Sequence, residues 1–318
     1  MLGGQQSVGH MNSLQQQIRR IAQQSKTVIL AHNYQPAEIQ EIADYVGDSF
    51  GLCQQAQRID ADRILFCGVR FMAETAAILN PDKSVLIPDK TAYCPMAAQL
   101  PVKLIREAKQ KHPNVPVVLY INTTAEAKAE ADVICTSANL CTILEKLDTN
   151  PVIFGPDANM AEYARHICGY NVIPIPENGF CHVHITFSFD SHFLQLQKEY
   201  PDAKLLVHPE CSWELQSQAD FVGSTGQMLQ YARDSPAEMF IIATEVDLVT
   251  RLRRELPNKI FIPALDYAVC KAMKKTTLAK VKDSLEKNQF QVTVPKRVAN
   301  QARRAIQRML ELTSDTKK

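Results

Sequence analysis

The stretch TVILAHNYQPAEIQEIADYVGDSF, residues 27–50, holds in miniature the plan of the whole 318-residue chain. Thr27 to Ala31 is an apolar run of strand length, which reads as a buried β-strand. Polar HNYQP ends it, a short helical stretch leads into Ala43-Asp44, and Tyr45-Val46 forms a brief second strand. Ser49 then opens an amphipathic helix. The plan returns twice more, because Ala-Asp recurs at Ala131-Asp132 and Ala219-Asp220, 88 residues apart each time. At fixed offsets from it stand His32, Tyr120 and His208, then Tyr34, Asn122 and Glu210, then Ser49, Ser137 and Thr225. About fifty residues beyond it each copy reaches a cysteine: Cys94, Cys181 or Cys270. A repeat whose equivalent positions carry reactive or anion-binding side chains points to three units that share one site.

Further strands follow in each copy: Arg63 to Cys67 and Ser84 to Ile87, Val152 to Phe154 and Asn171 to Ile175, Met239 to Ala243 and Lys259 to Ile262. Val117 to Ile121 and Leu205 to Val207 open the second and third copies, with Val133-Ile134 and Phe221-Val222 after them. Helices are expected between the strands, among them Ala97 to Lys111, Asn139 to Leu147, Met160 to Ile167, Ser191 to Tyr200 and Gln227 to Arg233. Short apolar strands alternating with helices predict parallel βαβ units covered on both faces. The fold expected is three small αβα domains, residues 26–113, 114–202 and 203–288, arranged with pseudo-threefold symmetry. A helical tail over 289–318 follows them, with Lys296 to Arg308 as its wet face, and residues 1–12 are expected to be disordered. Ligands of open parallel sheets sit beyond the carboxyl ends of the strands. If those ends face a common axis, the repeated polar residues and cysteines converge.

A net charge of +1 without a basic run gives no nucleic-acid footprint. No apolar run reaches the roughly 18 residues of a membrane span, and no signal peptide is legible, so the expected place is the cytoplasm. Nine cysteines in a reducing compartment are not expected to form disulfides. Cys53, Cys67, Cys135, Cys141, Cys168 and Cys211 lack a counterpart in both other copies and read as buried packing, with Cys211 beside Glu210 as a rival ligand. Cys94, Cys181 and Cys270 each follow a strand end and make a tripod for zinc or for three irons of a [4Fe–4S] cluster. Ser49, Ser137 and Thr225 at helix starts read singly as N-caps, and together as anion sites. His32, Tyr34, His182, His184, His208 and Glu210 are the acid–base candidates. Glu210 breaks the symmetry that Tyr34 and Asn122 keep, as proton transfer at one defined substrate atom requires.

His32-Asn33-Tyr34-Gln35, Cys94-Pro95-Met96-Ala97, Tyr120-Ile121-Asn122-Thr123, Thr136-Ser137-Ala138-Asn139, Cys181-His182-Val183-His184, His208-Pro209-Glu210-Cys211, Ser224-Thr225-Gly226 and Cys270 with Met273-Lys274 resemble the quinolinate synthase family. The resemblance runs from about residue 27 to residue 278 and chooses iron over zinc. It implies one [4Fe–4S] cluster per chain on Cys94, Cys181 and Cys270, with one iron lacking a protein ligand. The implied reaction condenses iminosuccinate with dihydroxyacetone phosphate to quinolinate, in NAD biosynthesis, with a functional link to the enzyme that supplies iminosuccinate. By the same resemblance His32, Ser49, Tyr120, Asn122, Ser137, His208, Glu210 and Thr225 bind substrate, and Tyr34, His184, His208 and Glu210 take catalytic roles. Around Cys270 the clustered cysteines of some members are absent. Another iron–sulfur hydro-lyase of a small dicarboxylate, or a three-unit anion-binding protein, would share part of this pattern.

Overall fold

The computed structural model describes residues 11–314, so the expectation for residues 1–10 lies outside the described residues. Among the described residues, twelve strands form three separate four-stranded sheets. The first holds β1 (Thr27–His32), β2 (Tyr45–Gly47), β3 (Arg63–Cys67) and β4 (Ser84–Leu86). The second holds β5 (Val117–Tyr120), β6 (Val133–Cys135), β7 (Val152–Gly155) and β8 (Val172–Pro174). The third holds β9 (Lys204–Val207), β10 (Phe221–Val222), β11 (Met239–Ala243) and β12 (Ile260–Pro263). All nine strand pairings are parallel. Each sheet has the same order, with the second strand at one edge, then the first, the third and the fourth.

Why Ala-Asp recurs is visible in the hydrogen bonds. Asp44, Asp132 and Asp220 each donate their backbone N–H to the carbonyl of the residue fifteen positions earlier, Ile29, Val117 and Leu205, at 2.9 Å. Each carboxylate accepts the N–H of that same residue, at 2.8, 2.7 and 2.8 Å. One aspartate thereby satisfies both polar groups of a buried strand residue. Three residues ahead of each alanine stand Gln40, Lys128 and Gln216, all buried. Their side chains donate to carbonyls of the loop that leaves the first strand: Asn33 and Gln35, Thr123, and Pro209 and Cys211. The loops carrying the candidate site residues are therefore pinned from behind in the same way three times.

The first and second sheets share one apolar core, whereas the third is packed on its two faces by separate clusters. A helix over Ser13–Gln24 lies against the helix Leu278–Lys287 and covers the outer face of the first sheet. Asn12 caps that first helix with a reciprocal Gln15 contact, which corrects the expectation of disorder at Asn12. The terminal helix Lys296–Ser314 buries Ala302, Ala305, Ile306 and Met309 against the edge strand β6 and leaves Lys296, Arg304 and Arg308 exposed. The long connector expected over Ala97 to Lys111 is broken. A 3₁₀ turn, Ala97–Gln99, ends before Pro101, and the α-helix starts at Val102. Proline lacks the N–H a continuous helix needs but suits its beginning.

Candidate functional site

The carboxyl ends of the three sheets do face one another. One cavity is lined by His32, Tyr34, Asp48 and Ser49 from the first unit, Tyr120, Asn122 and Ser137 from the second, and His208, Glu210 and Thr225 from the third. Cys94, Cys181 and Cys270 line it too. Hydrogen bonds between units close it: Ser224 Oγ donates to Asp48 at 2.7 Å, Gln227 Nε2 to the Ala138 carbonyl at 3.1 Å, and Tyr120 to Glu210 at 2.6 Å.

Three donors hold the Glu210 carboxylate. Tyr120 OH and Asn122 Nδ2 reach Oε1 at 2.6 and 3.3 Å, and His184 Nδ1 reaches Oε2 at 2.8 Å. Burial works against the charge on Glu210. The facing His184 and His208 rings, with the hydrogen bonds from His184 and Tyr120, outweigh it and hold the group well below the usual carboxylate range. The same charge adds to burial in pushing Tyr34 and Tyr120 well above the ordinary phenol value. Glu210 is thus an ionised acceptor, and the two phenols are proton-bearing donors.

His32 and His208 are buried imidazoles whose pKa burial lowers to about 3. Each Nδ1 accepts a backbone N–H two residues on, from Tyr34 at 3.1 Å and from Glu210 at 3.3 Å. With Nδ1 committed as acceptor, the neutral ring carries its proton on Nε2, where it donates. Two neutral imidazole donors suit carboxylate, phosphate or carbonyl oxygens.

The hydroxyls sit differently from a simple cap. Asp48 and Ser224 occupy the N-cap positions of the helices Ser49–Arg58 and Thr225–Asp234, accepting from Gly51 N and Gln227 N. Ser49 and Thr225 are the first helical residues, so neither is the cap. Ser137 departs from expectation: it lies in a turn ahead of the helix Leu140–Leu147 and hydrogen-bonds Tyr120. Thr225 Oγ1 accepts from Asn33 Nδ2 at 2.7 Å. The buried Oδ1 of Asn122 has no partner among the described residues, an acceptor left over in a cavity wall.

The three cysteine loops are copies of one device. Each cysteine stands three residues before a 3₁₀ turn that starts at Ala97, His184 or Met273. In each loop the sulfur takes a hydrogen bond from the backbone N–H of that residue. All three are free thiols, close enough to repel one another if ionised. Burial above all pushes them up, Cys94 to about 12. Buried sulfurs furnished with N–H donors but lacking enough positive charge fit a metal cluster, which supplies that charge. A second grouping overlaps the first: the ligand atoms of Cys181, His184 and Glu210 lie within 4.8 Å of one another. There, however, His184 already serves as Glu210's donor, so the set is satisfied without an ion.

Of the expected site residues, His182 and His184 stand outside the cavity lining, His184 one layer behind through Glu210 and Cys181. His182 makes an edge contact with Phe180 instead. Cys53, Cys67, Cys135 and Cys211 are buried, and the Cys211 sulfur points at the Ala243 carbonyl. Cys141 and Cys168 contradict the expectation of free, buried thiols. They are half-buried and joined by a disulfide, with their Cα atoms 5.0 Å apart. Two residues escaped sequence reasoning. Thr244, buried, touches both Tyr34 and His184, and Glu245, also buried, accepts from Cys270 N and from Lys274. Thr244 has no like residue in the other copies, where Gly68 and Pro156 stand, so the repeat offsets could not signal it; Glu245 has one in Asp157, a buried carboxylate that takes a hydrogen bond from Cys181 N as Glu245 does from Cys270 N, and that match was the available signal.

Three parallel α/β units that pool acid–base groups, hydroxyls and thiols in one cavity where the units meet have the make-up of an enzyme. The sequence model of the quinolinate synthetase A protein family (NadA) matches residues 16–311. The quinolinate synthase of Methanothermobacter thermautotrophicus is 51% identical over 304 residues, 95% of this chain and 99% of its own. That of Pyrococcus furiosus is 50% identical over 303 residues, with the same coverage, and that of Thermotoga maritima 47% over 297, covering 93% and 98%. The chain belongs to the quinolinate synthase family.

Proposed function

We propose that this enzyme of NAD biosynthesis condenses iminosuccinate with dihydroxyacetone phosphate and forms quinolinate, phosphate and water. Cys94, Cys181 and Cys270 hold its [4Fe–4S] cluster in this reading. When bound, the cluster supplies one iron without a protein ligand, a Lewis acid for the hydroxyl that departs as water. The observation that carries the proposal is the ionised Glu210, pinned by three donors in a wall shared with three thiol loops of one geometry.

Each residue's part follows from its hydrogen bonds. Ser49, Ser137 and Thr225 hold carboxylate and phosphate oxygens, aided by free N–H groups at the starts of two helices. The Nε2–H groups of His32 and His208 and the amide of Asn122 orient carbonyl and carboxylate oxygens. Glu210 takes protons during imine formation and ring closure, and Tyr34 exchanges them at the opposite wall. His184 fixes the Glu210 carboxylate. The burial of the cavity shelters an imine from water. The enzyme that supplies iminosuccinate is a functional neighbour, since an imine that hydrolyses favours short transit. Among the described residues no helix is long and apolar enough to cross a membrane.

The rival to the cluster is a single zinc ion on Cys94, Cys181 and Cys270, the other metal that three thiolates with an open position would suit. The test is an oxygen-free assay of quinolinate with and without dihydroxyacetone phosphate, alongside elemental analysis. Product that requires the phosphate ester, from iron- and sulfide-containing protein, supports the first reading. Product formed without the ester, or by a zinc protein free of iron, overturns it.

A further inference from the structure

Lys128 is a fully buried lysine in the place where the other two units carry glutamine. Pinning the loop explains a long polar side chain there, but not a charged one. Gln40 and Gln216 hold the equivalent loops with neutral amides, and Lys128 Nζ donates to the Thr123 carbonyl as they do to theirs. An ammonium taken out of water is destabilising unless an opposite charge meets it.

The protein around Lys128 does not supply that charge. Glu74, the acidic group that acts on it most strongly, is already paired with Arg70 at 2.8 Å through Oε1 and accepts Ala125 N at 3.2 Å through Oε2. Cys53 is a neutral thiol, pushed up by burial to about 12. Among the described residues Lys128 forms no ion pair, and burial lowers its ammonium to about 8, so it stays charged at neutral pH. Toward the cavity, Nζ stands 5.2 Å from the centre of the Phe71 ring, and Phe71 lines the cavity together with Cys94. An ionised Cys94 attracts Lys128.

We propose that Lys128 is a buried counter-charge for the metal cluster on Cys94, Cys181 and Cys270, acting on its Cys94 arm from behind Phe71. The inference rests on the cluster reading given above. Three thiolates bring three negative charges and an oxidised cluster core two positive ones, so the loaded site is an anion that a nearby cation stabilises. Reduction adds a further negative charge, which the same cation favours. In metal-free protein the thiols are protonated and the ammonium has no opposite charge to meet. Lys128 therefore stabilises the loaded protein and destabilises the metal-free one.

The test compares Lys128→Gln with the parent, each with its cluster and after the metal is removed. Glutamine separates charge from pinning, because Gln40 and Gln216 already pin their loops in this fold. The loaded variant should have a lower reduction potential in an anaerobic titration followed by electron paramagnetic resonance. It should also lose iron to a chelator at least about threefold faster than the parent. The metal-free variant should resist urea at least as well as the metal-free parent, since it carries no unpaired buried charge. A residue needed only for the loop would weaken both forms and leave the potential where it was. An unchanged potential, an unchanged rate of iron loss, or a metal-free variant that unfolds in less urea or fails to fold overturns the inference. A parent that holds no iron and sulfide removes the cluster reading itself, and the counter-charge with it.

Discussion

Glu210→Gln is the substitution whose outcome the site specifies most fully. The carboxylate accepts on both oxygens, from Tyr120 and Asn122 on one side and from His184 on the other. A glutamine keeps the volume but accepts on one oxygen only, so its NH₂ group must face at least one donor. Hydrogen bonds to charged groups are worth about 1.5–3 kcal/mol and those between neutral groups about 1. Losing the charge and one contact therefore removes roughly 2–4 kcal/mol of order from this wall. Losing the proton acceptor itself lowers kcat by about 100- to 10,000-fold, or roughly 3–5 kcal/mol of barrier. None of the three sulfurs is displaced, so iron should stay. The assay measures quinolinate formation, iron and sulfide on one oxygen-free sample. A variant within about threefold of parental kcat refutes the role given to Glu210. A variant that loses its metal shows that Glu210 binds the metal instead.

Other substitutions separate the parts of the account. Cys94→Ser, Cys181→Ser and Cys270→Ser should each lose iron on reconstitution, whereas Cys141→Ser, which removes half of a disulfide, should keep it. The Cβ added by Gly226→Ala would stand 2.7 Å from Asp48 Oδ2, the oxygen that receives Ser224. Moving that carboxylate loosens the cap of the helix begun by Ser49, worth about 1 kcal/mol, and should raise the KM of a substrate while sparing the iron. Acid should destabilise the fold through His32 and His208, which stay neutral when folded down to about 3. An unfolded histidine takes its proton below about 6.5, so between these values the unfolded chain binds more protons and stability is lost as pH falls. The slope is at most about 1.4 kcal/mol per pH unit for each histidine, and urea midpoints at pH 6.5 and 4.5 should differ accordingly.

Residues 27–50 carried most of the architecture, because Ala43-Asp44 has a structural reason to recur. An aspartate that pairs both polar groups of a strand residue cannot be exchanged freely, so its spacing reports the unit size. The same regularity placed His32, Tyr120 and His208 at strand ends and made the three cysteines conspicuous. Reading by equal offsets has a cost, however. Thr244 differs from its counterparts Gly68 and Pro156, and a search for likeness passes over it, whereas Glu245 has its match in Asp157 and needed a wider comparison of offsets. Ser137 looked like a helix start because its counterparts are, yet a turn intervenes. Pro101 could have been read as a break in the connector, since it offers no N–H to a continuing helix. Nothing local in the sequence announces the Cys141–Cys168 bond. It depends on the helix Leu140–Leu147 lying beside the loop after Ala158–His166, a matter of tertiary packing.

The most direct measurement counts iron and acid-labile sulfide in protein purified without oxygen, for the parent and for the triple replacement of Cys94, Cys181 and Cys270 by serine. The account predicts about four of each per parent chain and none in the variant, with quinolinate formation lost alongside. A parent free of iron that still makes quinolinate, or a variant that keeps its cluster, would contradict it.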